Sequence, residues 1–182
     1  MRALIIIDIQ KDYFPGGRMP LCNPESAAGA AIRVRDFFRK NGEPVFYVRH
    51  IAPPNASFFA EGSVGSELHP ALAPFENEKV IVKHAPNSFY KTELLSELKK
   101  AGAAELVFCG MMTHMCVDTT VRAARDLGFA STLISNACAT RDLTWNGRTL
   151  PAELVQEAYF ASLCDGFAKL MSDAEFITRA GR

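Results

Sequence analysis

A short run of large aliphatic residues near the start of the chain, Leu4-Ile5-Ile6-Ile7, constrains the fold most strongly. The run is apolar on both faces, which is typical of a central strand in a parallel sheet that helices cover on each side. Amphipathic helical segments then alternate with further apolar runs along the chain. This alternation predicts an α/β, doubly wound, mostly parallel six-stranded sheet with helices on both faces.

The boundaries of these elements follow from apolar spacing and from helix start and stop residues. Strands are expected at 4–7, 44–48, 79–82, 106–109, 131–134 and 167–171. Helices are expected at 24–41, 88–100, 113–127 and 151–163, and a last one from Ser172, where Glu175 completes a capping box. The two long connections, 51–78 and 139–150, are predicted to be binding loops, lids or interface arms.

Length and composition limit the classes of protein to which this chain can belong. The 182 residues, with 48% hydrophobic and 22% charged side chains, are ordinary for one globular domain over 1–182. Twenty basic and twenty acidic residues give a formal net charge of zero, so neither nucleic acid nor a membrane is an expected partner. Five scattered cysteines and the absence of a signal or spanning segment favour a reduced, cytoplasmic protein.

Three reactive side chains fall at one edge of the predicted sheet. Asp8 follows the first strand, Lys83 ends the third, and Cys116 lies in the first turn of the helix after the fourth. The carboxyl ends of parallel strands share one edge, where ligands of such sheets bind. Each residue alone has an ordinary structural explanation, so it is their coincidence that indicates a site.

The segment 110–116, GMMTHMC, is predicted to be a strand-to-helix turn. Such a turn presents main-chain N–H groups to a carbonyl oxygen. Backbone amides and the helix dipole favour a thiolate on Cys116. A cysteine in this position is suited to attack on a carbonyl carbon.

Three motifs carry a family resemblance: ALIIIDIQKDYF, VIVKHAPNSFYKTEL and GMMTHMCVDTTVRAA, with a looser match at GSVGSELHPAL. Over nearly its whole length the chain resembles the isochorismatase-like cysteine hydrolases, which include nicotinamidases, N-carbamoylsarcosine amidase and isochorismatase. The resemblance implies a Rossmann-like three-layer sandwich, a homo-oligomer and a catalytic triad of Asp8, Lys83 and Cys116. It also implies a cis peptide bond between Met111 and Met112, and an oxyanion hole made by the Met112 and Cys116 amides.

The activity that the resemblance implies is hydrolysis of an amide or carbamoyl C–N bond in a small molecule through a thioester. Asp8 would take the thiol proton of Cys116, and Lys83 would stabilise the charges. Two alternatives stay open: a vinyl-ether hydrolase of the isochorismatase type, with Asp8 as acid, and a catalytically silent member that serves as a binding protein. The presence of Cys116 argues against the first, and the retained triad argues against the second.

The chain departs from the nicotinamidase pattern after the second strand. Nicotinamidases have Asp-x-His and further histidines that bind a metal, whereas this chain has Arg49-His50-Ile51 and only His69 in the following loop. We therefore predict no metal and no cofactor, and we disfavour nicotinamide as the substrate. We expect five residues near the substrate: Gln10, Phe14, Phe58, Phe59 and Trp145. The alternative position for the four aromatic ones is a subunit interface.

Two other histidines lie close to the triad in sequence. A Cys116–His114 pair is disfavoured because residues two apart on a helix face different directions. His84 is expected to turn away from Lys83 because side chains alternate along a strand. Asn136 stands where many relatives have Asp, which predicts an altered supporting contact.

Overall fold

A computed structural model describes residues 1–181. The strands are β1 Arg2–Ile7, β2 Val45–His50, β3 Lys79–Lys83, β4 Glu105–Met111, β5 Ala130–Ala139, β6 Leu143–Trp145, β7 Arg148–Leu150 and β8 Lys169–Met171. The helices are α1 Pro24–Lys40, α2 Leu94–Lys100, α3 Asp118–Asp126, α4 Ala152–Cys164 and α5 Asp173–Ala180. Six strands form one sheet in the order β3-β2-β1-β4-β5-β8, with all neighbours parallel, which confirms the predicted architecture.

Two apolar cores lie on opposite faces of the sheet. Leu4 and Ile6 of β1 pack with side chains of α1 and α5, whereas Ile5 and Ile7 pack with side chains of α2, α3 and α4. All four are buried. Burial of one such side chain stabilises a fold by about 1.5–3 kcal/mol, so a strand that is apolar on both faces belongs at the centre of the sheet.

The helix predicted at 88–100 begins only at Leu94. The N–H of Ser88 donates to Thr120 Oγ1 at 3.0 Å, and Lys91 adopts the left-handed conformation with φ 55°. The segment before Leu94 is therefore tied to α3 by a tertiary hydrogen bond. The spacing of apolar residues along the chain cannot predict this contact, so it placed the start of the helix too early.

The helix predicted at 113–127 has two parts, a π-helix Thr113–Val117 followed by α3. β5 also extends beyond its predicted end. Its pairing with β4 shifts register, from Phe108 opposite Leu133 to Gly110 opposite Cys138. The irregular stretch of β5 is one of the local distortions that concentrate beside functional sites.

The predicted loop 139–150 contains an antiparallel hairpin formed by β6 and β7. Asn146 and Gly147 form its turn with φ of 48° and 72°, a pair of conformations that favours these two residue types. The hairpin lies beyond the carboxyl end of β5. None of the helices in residues 1–181 combines the length and the apolar character needed to cross a membrane.

Candidate active site

The carboxyl edge of the sheet brings Asp8, Lys83 and Cys116 together. Lys83 Nζ lies 2.8 Å from Asp8 Oδ2, and both side chains are fully buried. A carboxylate oxygen of Asp8 and the Sγ of Cys116 lie within 4.8 Å of each other. The three residues that the sequence singled out thus share one small volume, with Asp8 just after β1, Lys83 at the end of β3 and Cys116 in the π-helix.

The position of Asp8 depends on the close approach of β1 and β4. A Cβ atom on Gly110 would lie 2.0 Å from the carbonyl oxygen of Ile7, and Gly110 has φ 137°. Only glycine fits there without a shift of the backbone. Asp8 itself has φ 50°, and its N–H donates to Val48 O at 3.0 Å. This bend turns the chain out of β1 at the carboxylate.

Lys83 remains charged although it is buried. Its ammonium donates to the Pro86 carbonyl oxygen at 2.8 Å and forms the ion pair with Asp8. Burial alone would lower the pKa of Lys83, but attraction to Asp8 and to Cys116 outweighs it and raises the pKa. A buried charge costs several kcal/mol unless it is paired, so Lys83 and Asp8 depend on each other.

Burial favours the neutral thiol over the thiolate at Cys116. Burial raises its pKa, and the charge of Asp8 raises it further, while Lys83 opposes both effects. This desolvation opposes the expected preference of the helix start for a thiolate on Cys116. Desolvation dominates because only 5% of the residue is exposed. The thiol must lose its proton to a nearby base before it can attack.

Asp8 is placed to be that base. Within residues 1–181 neither carboxylate oxygen of Asp8 accepts a hydrogen bond of regular geometry, although Lys83 lies at ion-pair distance. The carboxylate therefore keeps lone pairs free for a proton from Cys116 or from a bound molecule.

The turn before Cys116 has an unusual main chain. The Met111–Met112 peptide bond is cis. The carbonyl oxygen of Met112 accepts hydrogen bonds from the N–H groups of Met115 at 3.1 Å and Val117 at 3.3 Å. Its own N–H makes no main-chain hydrogen bond within the part of the chain that the structure describes. This N–H is available to a ligand at the start of the π-helix.

Sequence reasoning missed His50, which ends β2 at the same edge. One nitrogen of its ring lies within 4.8 Å of both an Asp8 oxygen and Cys116 Sγ. Burial lowers the pKa of His50, Asp8 opposes this, and Lys83 and His84 lower it further, so the imidazole is neutral. The rule that selected Asp8 and Lys83, a polar residue at the carboxyl end of a strand, would also have found His50.

These three donor atoms, from Asp8, His50 and Cys116, are near enough to approach one cation. The Lys83 ammonium already lies against Asp8, and its positive charge opposes a cation at this position. The donor set therefore fits a metal poorly while Lys83 is charged.

Comparison with known proteins identifies the family. Residues 2–175 match the family model of the isochorismatase domain. The chain belongs to the isochorismatase family. It is 46% identical over 176 residues to the isochorismatase family protein YddQ of Bacillus subtilis, covering 96% of this chain and 98% of that one.

Solved structures agree with this assignment. An isochorismatase from Pseudomonas putida has a TM-score of 0.91 and 37% identity, covering 96% of this chain and 89% of that one. N-carbamoylsarcosine amidase from Thermoplasma acidophilum has a TM-score of 0.78 and 25% identity, covering 94% and 96%. The fold and the family expected from the sequence motifs are both confirmed.

In this isochorismatase-family protein, Gln10 holds the main chain around the site. Its Nε2 donates to His50 O at 2.9 Å and to Ser66 O at 2.8 Å, and its Oε1 accepts the His50 N–H at 2.8 Å. These bonds use both amide hydrogens and the carbonyl oxygen. The sequence predicted that Gln10 contacts substrate. Its hydrogen bonds instead fix the main chain at His50 and in the loop at Ser66.

The aromatic residues expected near the substrate separate into three groups. Phe59 is buried and packs on Tyr13 at 4.6 Å and on Phe58 at 5.0 Å, with the His50 ring 6.1 Å away. Phe14 instead packs on His69, with the ring centroids 4.2 Å apart. Trp145 is 73% exposed on the hairpin. Phe59 therefore lies beside His50, and Phe58 packs on Phe59.

The remaining polar residues near this isochorismatase-family site bond to other groups. Nδ1 of His84 lies 2.8 Å from Ile51 O, and Nδ1 of His114 lies 2.5 Å from Thr140 Oγ1. His114 thus has Thr140, not Cys116, as its hydrogen-bond partner. Asn136 Nδ2 donates to Asp173 Oδ1 at 2.7 Å, which is a supporting contact between β5 and α5.

Proposed function

We propose that the protein is a cysteine-dependent hydrolase that cleaves an amide or carbamoyl C–N bond of a small molecule through a thioester. One observation carries this proposal: a buried Asp8–Lys83 ion pair lies close to the buried Sγ of Cys116 at the carboxyl edge of the sheet. Carboxylate, ammonium and thiol supply the base, the counter-charge and the nucleophile that the reaction needs. N-carbamoylsarcosine amidase is a relative with the same fold.

In the first step Asp8 accepts the Sγ proton of Cys116 as the sulfur attacks the carbonyl carbon. Before the step the three groups carry one negative charge, on Asp8, and one positive charge, on Lys83. During attack the negative charge passes from Asp8 through sulfur to the carbonyl oxygen. Lys83 stays charged throughout, because its raised pKa keeps the proton on nitrogen.

The oxyanion that forms needs donors aimed at it. The N–H of Met112, which makes no main-chain bond within residues 1–181, and the N–H of Cys116 are our candidates. Loss of one such donor typically slows acyl transfer by about 100- to 1,000-fold. Collapse of the tetrahedral intermediate breaks the C–N bond, and the proton held by Asp8 passes to the leaving nitrogen.

Deacylation follows the same order of steps, with water in place of the thiol. Asp8 removes a proton from water, the resulting hydroxide attacks the thioester, and the carboxylic acid or carbamic acid leaves. The proton returns to sulfur and regenerates the neutral thiol. The neutral His50 ring, within 4.8 Å of the reacting groups, is placed to orient this water.

The burial of the reactive groups favours a small substrate. Cys116 and Met112 are each 5% exposed and Tyr13 is 1% exposed, so little of the reactive surface reaches solvent. A peptide chain could not reach the sulfur without displacement of the surrounding segments. The aromatic cluster of Tyr13, Phe58 and Phe59 offers an apolar wall for the substrate body.

The test is ammonia release from a panel of small amides and carbamoyl compounds, with intact-protein mass spectrometry to detect the acyl adduct. We expect Cys116→Ala to abolish both turnover and adduct, a loss of at least about 10⁴-fold. Cys22→Ser, at an exposed cysteine, is the matched control and should keep full activity. Ammonia release that survives Cys116→Ala would show that the thiol is not the nucleophile, and the absence of turnover and adduct in the unaltered protein would favour a binding protein.

A further inference from the structure

Gln156 of α4 links the end of β5 to the turn that carries Cys116. Its Nε2 donates to Cys138 O at 2.9 Å, and its Oε1 accepts the hydroxyl proton of Thr113 at 2.8 Å between the oxygens. Gln156 is half-buried, whereas Thr113 is fully buried. One side-chain amide thus binds two separate elements, β5 and the first residue of the π-helix.

These two bonds fix the orientation of the amide. The carbonyl oxygen of Cys138 can only accept a hydrogen bond, so the amide nitrogen of Gln156 must face it. The amide oxygen then faces Thr113, whose hydroxyl donates its one proton in that direction. Ala139 O is a second, more distant acceptor for this hydroxyl, at 3.3 Å. The position of Thr113 therefore depends on partners in both α4 and β5.

The link lies where the sheet is irregular. Between the pairs Phe108–Leu133 and Gly110–Cys138, β4 advances by two residues while β5 advances by five. Extra residues of this kind interrupt the regular hydrogen-bond ladder between the strands. The bond from Gln156 to Cys138 O therefore helps to fix the place where β5 resumes its pairing with β4.

The π-helix that begins at Thr113 holds two groups needed for the proposed reaction. The Met112 N–H directly precedes Thr113, and Cys116 lies three residues after it. The main-chain bond from the Val117 N–H to Met112 O is 3.3 Å, which is long for an N–H···O bond. The bond between Thr113 and Gln156 has the usual length for O–H···O, so it adds a fixed point to a loosely bonded turn.

We infer that Gln156 is a positioning residue for the nucleophile turn, residues 112–116. Through Thr113 it holds the Met112 N–H and Cys116 Sγ in one orientation toward the reacting carbonyl. This inference rests on the proposed function and adds to it a residue of α4 that sequence reasoning did not single out. A displacement of about 1 Å in a reacting group can slow a reaction by about 100-fold, so a bond outside the site can set the rate.

Hydrogen exchange with peptide mass spectrometry tests this inference without a substrate. Gln156→Met removes both bonds of the amide at nearly unchanged side-chain length, and Thr113→Val removes the hydroxyl at unchanged shape. We expect the amides of the nucleophile turn to exchange at least about 3-fold faster in each variant, because a net stabilising hydrogen bond is lost. Thr113→Ser keeps the hydroxyl and should exchange as the unaltered protein does.

The matched control is Ser162→Ala. It removes a different bond to α4, the one that Ser162 Oγ accepts from Arg122 Nη2 of α3 at 2.8 Å, and it should leave exchange in the nucleophile turn unchanged. Exchange in that turn that is equally unchanged in Gln156→Met and in Thr113→Val overturns the inference.

Kinetics separate positioning from a merely structural role. On the amide of the panel above that is hydrolysed fastest, Gln156→Met should lower kcat by about 10- to 100-fold and leave KM within about 2-fold. Adding Thr113→Val to Gln156→Met should cause no further loss, since the bond between the two residues can be lost only once. An unchanged kcat, a loss that falls on KM alone, or losses that multiply in the double variant would each overturn the inference.

The two measurements distinguish failure of the inference from failure of the proposed function. If no compound of the panel is hydrolysed, the proposed function fails, and exchange in the nucleophile turn still decides whether Gln156 holds it. Thermal unfolding of each variant shows whether the fold is intact. If Gln156→Met unfolds, Gln156→Glu takes its place: it keeps the acceptor for Thr113, loses the donor to Cys138 O, and should also speed exchange in the turn.

Discussion

The ammonium of Lys83 reaches Asp8 Oδ2 at 2.8 Å across an intervening strand. β2 lies between β1 and β3, so the two residues come from strands about 9–10 Å apart. The four-carbon stem of lysine covers that distance above the end of β2, where His50 lies. A shorter cation could not form this pair, and the buried Asp8 charge would have no partner.

We expect Lys83→Met to destabilise the protein by about 3–5 kcal/mol, because it leaves the Asp8 carboxylate buried without its counter-charge. The free energy of unfolding in urea measures the effect. Adding Asp8→Asn to Lys83→Met should recover part of the loss, since the buried charge is then gone. Lys79→Met, at the exposed start of β3, is the control. A loss for Lys83→Met no greater than for the control would show that the ion pair adds no stability.

Alkylation should report the neutral state of Cys116. Its pKa is raised chiefly by burial, so iodoacetamide at pH 7–8 should modify Cys116 slowly, and the rate should keep rising with pH beyond about 9. The exposed Cys22 is open to the reagent and should react faster than Cys116 at this pH. Peptide mass spectrometry resolves the two sites. Faster modification of Cys116 than of Cys22 at pH 7 would contradict a neutral resting thiol.

Gly110→Ala should be strongly destabilising. The added Cβ would lie 2.0 Å from Ile7 O at a residue with φ 137°, so β1 and β4 must move apart where Asp8 begins. We expect a loss of about 3 kcal/mol or more in unfolding free energy, together with lost activity. Gly29→Ala is the matched control, since its Cβ would meet only Arg33 Nη1 at 3.7 Å within α1. There alanine should be neutral or stabilising by up to about 1 kcal/mol.

Asn136→Asp should produce a pH-dependent loss of stability. Burial would raise the pKa of Asp173, but bonds from Asn136 and Arg33 outweigh it and lower the pKa. Asp173 thus adds stability above the pKa of an unfolded Asp, about 3.9, and this contribution is lost as pH falls. A second carboxylate there should cost about 1–3 kcal/mol at pH 7 and less near pH 4, where protonation relieves the repulsion.

Urea unfolding at the two pH values checks this expectation. Asn146→Asp, in the exposed hairpin turn, is the control for the added charge. The same loss at pH 7 and pH 4 for Asn136→Asp would show that repulsion with Asp173 is not the cause.

Much of the site could be predicted because strand ends in a parallel sheet are positions of known geometry. Asp8 and Lys83 each follow a β-branched run, and Cys116 follows a strand-to-helix turn, so sheet topology alone brings them to one edge. The same reasoning failed for residues whose roles depend on partners elsewhere in the chain. Gln10 is adjacent in sequence to the first strand, yet its bonds to His50 and Ser66 appear only in the folded state.

The sequence by itself determined the order of strands and helices, the apolar centre of the sheet and the residue types available for chemistry, because these follow from local periodicity and side-chain identity. Tertiary structure alone decided the burial that raises the pKa of Cys116 and the place of His50 beside it, where burial lowers the pKa of the imidazole. The physical reason is that a proton's free energy depends on burial and on charges within a few ångströms. Those neighbours come from segments far apart along the chain.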